Sequence, residues 1–331
     1  MPDAAPPVVI FSPMPLASGK GNAVSALRIA GLLCEGGIEA AATDQPAPDT
    51  SEVFVILNSW RSASVALDWK RRHPARPLVA VLTGTDIFPD FPSHPDVISV
   101  LQAADAIVAW HAGSVAQLPE AFHAKAHIIY KSAPDIPVGM PLRRGLPEPP
   151  ARIAVLVIGH LREVKDPFRA AEAARLLPED SRIHILHAGE ALSTEMAAQA
   201  RAQQSDNFRY TWLGGITRQE LWQELRTAAL TVNSSFAEGG ANAVVESLRG
   251  GVPVLASRIP GNTGLLGLDW PGLFDTGNSA ALAALLRRCE NEPAYYNELL
   301  ARTAERAKLF VPQLERHGWC ALIRNLKPHE A

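Results

Sequence analysis

Short, fully apolar runs rich in β-branched residues alternate along the chain with longer stretches of helical periodicity. Such runs are typical of parallel strands that helices cover on both faces. In the first part of the chain the pattern predicts strands at 8–11, 53–57, 78–82, 106–109 and 127–130, and helices at 22–34, 62–72 and 114–122. We therefore expect one doubly wound α/β domain there.

The same pattern restarts after a proline-rich segment. Residues 134–150 contain six prolines, and proline neither donates to a β-ladder nor fits inside a helix, so this segment predicts a linker. Beyond it we expect strands at 153–158, 183–187, 208–213, 230–233 and 252–256, helices at 167–177, 192–204, 218–228 and 241–249, and further helices through Leu285, Leu300 and Leu322.

These boundaries predict two Rossmann-like α/β domains that face a central cleft. The N-terminal domain is expected at 1–133 and the C-terminal domain at 151–311, with a last helix at 312–331 that packs back on the N-terminal domain. A length of 331 residues agrees with two domains of ordinary size.

Composition excludes several classes of protein. The chain is 47% hydrophobic and 20% charged, and 31 basic against 34 acidic residues give no electrostatic footprint for nucleic acid. Cys34, Cys289 and Cys320 are far apart, which argues against disulfides and structural zinc. The sequence has neither a signal-like start nor an apolar run long enough to span a membrane, so we expect a cytoplasmic protein without membrane contact. Composition carries no signal for an oligomeric state.

The strongest chemical signal is the turn from strand 230–233 into helix 241–249. A helix start leaves backbone amides without partners and carries partial positive charge, so small residues there let a phosphate approach. Glu238 stands at the helix entrance and Glu246 two turns further on, both suited to accept from sugar hydroxyls. The alternative is that Glu238 caps the helix and Glu246 faces solvent. The expected donor-binding residues of this turn are Gly239, Gly240, Ala241, Asn242 and Glu246.

A basic segment follows strand 153–158, where His160, Arg162 and Lys165 lie near the carboxyl end of the sheet. Cations at that edge stabilise charge on a leaving diphosphate without a metal. A solvated basic loop is the alternative. The chain has no Asp-x-Asp pair to hold a divalent cation, so we expect neither a metal nor another cofactor.

The first domain offers polar residues for a small anionic acceptor at its own carboxyl edge. A flexible loop opens helix 22–34, a cation begins helix 62–72, and hydroxyls with a carboxylate follow strand 78–82. The expected acceptor residues are Gly19, Lys20, Gly21, Asn22, Arg61, Thr83 and Thr85, with Asp86 placed to position the donor sugar. Solvated lysine and ordinary turn formation are the alternatives. A GxGxxG fingerprint is absent, which disfavours a dehydrogenase.

Residues 159–166 and the pair Glu238 and Glu246 resemble the donor site of retaining glycosyltransferase family 4. The resemblance implies the GT-B fold, with a lysine that holds the diphosphate and a Glu-x7-Glu motif that holds sugar and ribose. Lys165 matches the lysine, whereas His160 stands where the family usually has arginine, and Arg162 is placed to compensate. Catalytic roles are thereby implied for Glu238, Lys165 and Arg162, and from its place after strand 78–82 we also expect one for Asp86.

A narrower resemblance covers nearly the whole chain. The chain is similar to the selenosugar synthases of selenoneine biosynthesis (SenB type) in SGKGNAVSALRIAGLL, WRSASVAL, PLVAVLTGTDIF, ADAIVAWHAGSVAQLP, GHLREVKDP, EGGANAVVESL and GVPVLASRIPGNTGLLG. Asn58 departs from the histidine expected before the Trp-Arg-Ser segment. The resemblance implies transfer of a sugar from UDP-N-acetylglucosamine or UDP-glucose to selenophosphate, which gives a 1-selenosugar, UDP and phosphate.

Two other functions stay open from the residues. One is an ordinary glycosyltransferase that acts on a hydroxyl of a lipid or glycan, although an aromatic content of 6% offers little apolar surface for such acceptors. The other is a non-catalytic nucleotide-sugar sensor on the same scaffold. A sensor has no need to retain both Glu238 and the basic segment, so it is the weakest of the three readings.

Overall fold

The computed structural model describes residues 7–19, 21–88, 91, 94–133 and 145–326. Contacts divide the chain into two compact units. The first consists of Met1–Ser132 and Pro312–Ala331, and the second of Ala133–Val311. Each unit is built around one parallel sheet.

The first unit contains a sheet of six strands within its described residues, all parallel and ordered β2-β1-β3-β4-β5-β6. Its strands are β1 (Val8–Phe11), β2 (Ala40–Thr43), β3 (Val53–Leu57), β4 (Leu78–Leu82), β5 (Ala106–Ala109) and β6 (Ala126–Ile128). The helices around it are α1 (Gly21–Glu35), α2 (Ala63–Arg72), α3 (Pro95–Ala103) and α4 (Ala112–Val115), with 3-10 turns at Leu16–Ser18 and Glu120–Lys125.

The second unit repeats this architecture, with six parallel strands in the order β12-β11-β10-β7-β8-β9 among its described residues. They are β7 (Ile153–Ile158), β8 (Ile183–Ala188), β9 (Tyr210–Gly214), β10 (Leu230–Asn233), β11 (Val254–Ser257) and β12 (Leu273–Phe274). The helices are α5 (Arg169–Arg175), α6 (Thr194–Asp206), α7 (Arg218–Thr227), α8 (Asn242–Arg249), α9 (Pro260–Leu266), α10 (Ser279–Asn291) and α11 (Pro293–Ala307), with 3-10 turns at Glu163–Lys165 and Lys308–Phe310.

The last helix, α12 (Pro312–Asn325), belongs to the first unit. Its Trp319 and Ile323 are buried in the same apolar cluster as Ile29 and Leu33 of α1. Of the predicted linker at 134–150, residues 134–144 lie outside the described residues, and 145–150 form neither helix nor strand. Within the described ranges, no helix combines the length and apolar character needed to cross a lipid bilayer.

The predicted fold class of two Rossmann-like α/β domains is confirmed. Every residue of β3 and β4 is buried, because helices cover both faces of a parallel sheet, and this produces the continuous apolar runs seen in the sequence.

Several elements differ from the prediction. The helix expected at 114–122 is wrong: α4 ends at Val115 and a 3-10 turn follows at Glu120–Lys125, because Pro119 cannot continue a helix. Strand β2 was not predicted, since its sequence AAAT lacks an apolar β-branched signal and its edge position leaves it partly exposed. Helix α3 and the two-residue strand β12 were also not predicted.

Candidate functional site

A lysine and a glutamate meet at the carboxyl edge of the second sheet. Lys165 ends the 3-10 turn that follows β7, and Glu238 lies in the loop between β10 and α8. Lys165 Nζ is 2.5 Å from Glu238 Oε1, and the two side chains are 21% and 8% exposed. Because β7 and β10 are neighbouring parallel strands, their following loops emerge at the same edge, where open α/β sheets bind ligands.

The two oxygens of Glu238 have different surroundings. Oε1 accepts hydrogen bonds from Lys165 Nζ, from Ser235 Oγ at 2.6 Å and from Asn233 Nδ2 at 3.4 Å. Oε2 receives no protein donor among the described residues, and it is not one of the fully enclosed polar atoms. One oxygen is thus fixed by the protein, whereas the other is left to accept from a ligand.

Burial and the neighbouring cation act against each other on Glu238. Burial alone raises the pKa of a carboxyl group. The charge of Lys165 and the hydrogen bonds from Lys165, Ser235 and Asn233 outweigh this effect, so the pKa of Glu238 is lowered. The carboxylate is therefore charged at neutral pH and acts as an acceptor.

Hydrogen bonds between the two loops hold this pair in place. Ser234 Oγ donates to the carbonyl of Asp166 at 2.9 Å, and the Phe236 amide donates to the carbonyl of Val164 at 2.9 Å. These bonds join the loop of Glu238 to the turn of Lys165, so the distance between the two side chains is set by the backbone of both loops.

The start of α9 supports the same loop from the other side. Asn262 Nδ2 donates to Asn233 Oδ1 at 3.1 Å, and Ser257 Oγ donates to the carbonyl of Ser235 at 2.6 Å. Gly261 approaches the carbonyl of Glu238 so closely that a Cβ at this position would overlap it. A glycine is therefore required beside the loop of Glu238.

The two other predicted cations are exposed and stand apart from the pair. His160 Nδ1 accepts from the Glu190 amide at 3.2 Å, so a neutral ring carries its proton on Nε2, where it can donate to a ligand. Arg162 precedes the turn of Lys165, and its side chain has no partner among the described residues. Neither side chain contacts Glu238 in the described structure.

His187 fixes the first residue of the basic segment. This histidine is 1% exposed, and its Nε2 lies 3.1 Å from the carbonyl oxygen of Gly159 while its Nδ1 lies 3.0 Å from the hydroxyl of Tyr210. Burial lowers the pKa of His187 to about 4. The ring is therefore neutral near pH 7, with its proton on Nε2 for Gly159 and Nδ1 accepting from Tyr210.

Helix α8 presents the other half of the Glu-x7-Glu motif. Ala241 precedes the helix without a side-chain cap, and Asn242 is the first helical residue. Gly239 is buried and Gly240 half-buried beside them in the preceding loop. The Glu246 side chain is 9% exposed and lies 3.2 Å from Arg218 Nη2, which is a buried position rather than a solvated helix face.

In the first unit the structure joins Thr83 and Thr85 through Asn58. Asn58 Nδ2 donates to the two threonine hydroxyls at 3.0 and 2.8 Å, and its Oδ1 accepts from the Arg61 amide at 2.9 Å. Asn58 has a φ of 65°, a left-handed conformation that asparagine tolerates better than most residues.

Asp86 is enclosed by backbone amides. The residue is 0% exposed, and its carboxylate accepts from the amides of Thr83, Gly84 and Ser59 at 3.0, 2.8 and 3.1 Å. Burial raises the pKa of Asp86, and these N–H donors work in the opposite direction. This geometry favours a role in shaping the two loops over direct contact with a sugar.

Three of the remaining predicted acceptor residues, Gly19, Gly21 and Asn22, lie at or next to the start of α1. Gly19 has a φ of 64° and ends the 3-10 turn before the helix, Gly21 begins α1, and Asn22 follows in its first turn. Lys20 lies outside the described residues. The Arg61 guanidinium lies 5.2 Å from the ring centre of Trp60.

Several residues of the site were missed by sequence reasoning. They are the polar residues Asn58, Asn233, Ser235, His187 and Asn262, of which Asn58, His187 and Asn262 have partners more than 20 residues away in sequence. The signal for Asn58 was its type, since an asparagine directly after a strand suits a left-handed turn. Among the described residues no group of three or more His, Cys, Asp or Glu side chains is placed to hold a metal ion.

The fold and the glutamate pair define a GT-B type of protein. The profile of Glycosyl transferases group 1 matches residues 141–310, just over half of the chain and nearly all of the second unit. The chain belongs to this family.

Individual proteins support this assignment. Glycosyltransferase 1 domain-containing protein 1 of Xenopus tropicalis is 29% identical over 180 residues, a match that covers 52% of this chain and 50% of the relative. The chain therefore spans about half the length of this curated relative.

Solved structures match over nearly the whole chain at low identity. Anabaena HepE in complex with UDP and glucose is 16% identical, has a TM-score of 0.75, and is matched over 97% of this chain and 100% of its own. Sucrose-phosphate synthase of Thermosynechococcus elongatus is also 16% identical, with a TM-score of 0.77 and coverage of 96% and 98%. At this identity the similarity shows the fold.

Proposed function

We propose that the chain is a metal-independent glycosyltransferase that moves a sugar from a UDP-sugar to selenophosphate. The observation that carries the transfer activity is the Lys165–Glu238 pair, 2.5 Å apart at the sheet edge in the region matched by the family profile. A UDP-sugar donor is suggested by HepE, which has been crystallised with UDP and with UDP-glucose. The acceptor rests on the stretches that resemble selenosugar synthases.

On the donor side, Lys165 supplies positive charge for the diphosphate. An ammonium group has three protons, of which one is directed to Glu238, so the others are available to phosphate oxygens. Charge that develops on the leaving UDP is stabilised by this cation and by the exposed His160 and Arg162. The free oxygen of Glu238 accepts from a hydroxyl of the sugar, and Glu246 accepts from the ribose.

On the acceptor side, the selenium of selenophosphate already carries negative charge. It attacks C1 of the sugar, the bond from C1 to the UDP oxygen breaks, and UDP leaves with the electron pair. Water then cleaves the Se–P bond, so the products are a 1-selenosugar, UDP and phosphate. An anionic nucleophile needs no general base, unlike a hydroxyl acceptor whose proton must be removed.

Mass spectrometry of the products tests this proposal. Purified protein is incubated with UDP-N-acetylglucosamine or UDP-glucose, with and without selenophosphate, under reducing conditions in the presence of EDTA. We expect a sugar-sized product with the selenium isotope pattern, together with UDP and phosphate, and the yield is expected to be unaffected by EDTA.

Variants separate this chemistry from a contaminating activity. Lys165→Ala and Glu238→Gln are expected to reduce the rate at least about a hundredfold, the typical cost of removing one electrostatic contact to the transition state. Lys308→Ala is the matched control, because Lys308 pairs with Glu305 at 2.8 Å on the exposed surface of the same unit. If both UDP-sugars give no selenium product while a hydroxyl acceptor is glycosylated, the selenophosphate assignment is wrong and the ordinary glycosyltransferase stands.

A further inference from the structure

The orientation of the Asn58 side chain is fixed by its neighbours. Arg61 N–H can only donate, so the atom that faces it at 2.9 Å must be the amide oxygen. The NH2 group of Asn58 therefore faces Thr83 and Thr85, at 3.0 and 2.8 Å from their hydroxyl oxygens. Since Asn58 is 1% exposed, no alternative placement of the amide in water competes with this arrangement.

This arrangement turns both threonines into donors. Each hydroxyl oxygen accepts an N–H from Asn58, so its own proton is directed away from Asn58. Neither proton has an acceptor among the described residues. Thr83 is half-buried and Thr85 is exposed, so a ligand can reach them.

The turn that begins at Asn58 carries the positive charge of Arg61 and contains no carboxylate. Arg61 is exposed and forms no ion pair among the described residues, with its guanidinium over the Trp60 ring. The nearby Asp86 is buried, and its carboxylate accepts from backbone amides. A second unsatisfied polar group lies in the same turn, because the buried Ser59 hydroxyl has no partner within the described structure.

We propose that Asn58 determines the acceptor specificity by making this cluster a subsite for a tetrahedral oxyanion of the phosphate class. The cluster is Asn58, Arg61, Thr83 and Thr85. The assignment of this cluster as the acceptor site rests on the proposed function. Its selectivity for an oxyanion is argued from the geometry of the cluster alone. Hydrogen-bond donors and a cation match the oxygens of a phosphate, whereas a hydroxyl acceptor would need a base for its proton, and these four residues include neither a carboxylate nor a histidine to serve as one.

Inorganic phosphate is the probe for this subsite. Its binding is measured by isothermal titration calorimetry in the full-length protein and in Asn58→Asp and Asn58→Gly. Aspartate and glycine both tolerate the left-handed backbone of this position, so the turn is retained. We expect saturable binding in the unchanged protein. Asn58→Asp is expected to weaken it at least about tenfold, because the threonine hydroxyls then donate to the new carboxylate and a negative charge is added. Asn58→Gly is expected to have a smaller effect.

Two further measurements separate this inference from the proposed function. UDP affinity is expected to be equal in all three proteins, since the Lys165 site lies in the other unit. Equal phosphate affinity in the unchanged protein and Asn58→Asp, or no saturable phosphate binding at all, would overturn the subsite. Phosphate binding that depends on Asn58 without any selenosugar product would retain the subsite and reject selenophosphate as the acceptor. If Asn58→Asp still makes the selenosugar with an unchanged KM for selenophosphate, selenophosphate is retained as the acceptor and the subsite at Asn58 is rejected.

Discussion

Glu238 and Asp86 are both buried carboxylates at sheet edges, and their partners give them different character. Glu238 meets the Lys165 cation and keeps one oxygen without a protein donor in the described structure. In the described structure the Asp86 carboxylate accepts hydrogen bonds from backbone amides alone, and burial raises its pKa. A group that binds ligand needs an open atom, so this difference favours Glu238 over Asp86 as the ligand contact that we propose.

His187 makes stability depend on pH in a definite window. Its pKa is lowered by burial to about 4, whereas a histidine in the unfolded chain titrates near 6.5. Between these values the unfolded chain binds more protons than the folded protein, so stability falls as the pH falls from about 6.5 to about 4 and is unaffected by His187 above that window. The loss attributable to this residue is about 3 kcal/mol.

Urea unfolding at several pH values measures this effect. Carboxylates also titrate at low pH, so the relevant quantity is the difference between the unchanged protein and His187→Asn, which is expected to shrink as the pH falls from about 7 to about 4.5. His317→Asn, at an exposed position, is the control and should show no such trend. A constant difference between the unchanged protein and His187→Asn would show that the histidine is not held neutral.

Gly261→Ala tests the support of the Glu238 loop. An added Cβ would overlap the Glu238 carbonyl, and because a backbone atom is displaced, the loop must move. We expect a destabilisation of about 1 to 3 kcal/mol and a fall in kcat of at least about tenfold. Gly31→Ala is the control, since a Cβ there meets open space on α1 and alanine favours a helix by about 1 kcal/mol. Equal kcat in the two variants would argue against this support.

At the scale of elements, the sequence predicted best several strands that lie inside the sheets and are largely buried. The bounds of β1, β3, β4, β5, β7 and β10 agree with the predicted ones, because two covered faces give an unbroken apolar run. The edge strand β2 is half-buried and built mainly of alanine, so no comparable run marks it. Short helices that end near a proline, such as α4, were also predicted less accurately, because a few residues carry little helical periodicity.

The sequence indicated which residue types form the candidate site, but not which hydrogen-bond partners hold them in place. Lys165 and Glu238 were singled out because cations and carboxylates next to parallel strands lie at one edge. Asn262, by contrast, contacts Asn233, a partner of Glu238, over a separation of 29 residues. Such a hydrogen bond depends on tertiary packing, for which a single sequence carries no periodic signal.

A buried carboxylate on α12 adds an ion pair to its apolar contact with α1. Glu315 is 1% exposed, and its Oε2 accepts from Arg28 Nε at 2.9 Å and from the Ser132 amide at 2.8 Å. Glu315→Gln removes the charge that faces Arg28 and is expected to cost about 3 to 5 kcal/mol, as for other broken buried pairs. Urea unfolding followed by tryptophan fluorescence measures this change.

A surface pair on the same two helices is the control. Arg316 and Glu35 are 3.3 Å apart and largely exposed, so Glu35→Gln is expected to change stability by less than about 1 kcal/mol. Similar losses for Glu315→Gln and Glu35→Gln would mean that the buried cluster does not anchor α12.

At the scale of the whole molecule, the two units differ in how the chain builds them. The second unit is one continuous segment, Ala133–Val311, whereas the first needs the return of the chain at Pro312–Ala331. Trp319, Cys320, Leu322 and Ile323 of α12 contribute to the core of the first unit. Loss of α12 therefore exposes the interior of the first unit and leaves the segment of the second unit whole.

Truncation after Val311 separates the two units experimentally. We expect the first unit to lose its protease resistance, since several large apolar side chains lose their contacts, while a resistant fragment of about the Ala133–Val311 segment remains. Because Lys165, Glu238 and Glu246 all lie in that segment, the fragment should bind UDP with an affinity within a few-fold of the full chain and should be stabilised by it. Loss of both units together would show that they fold as one cooperative body, and a folded fragment that does not bind UDP would place essential donor contacts in the first unit.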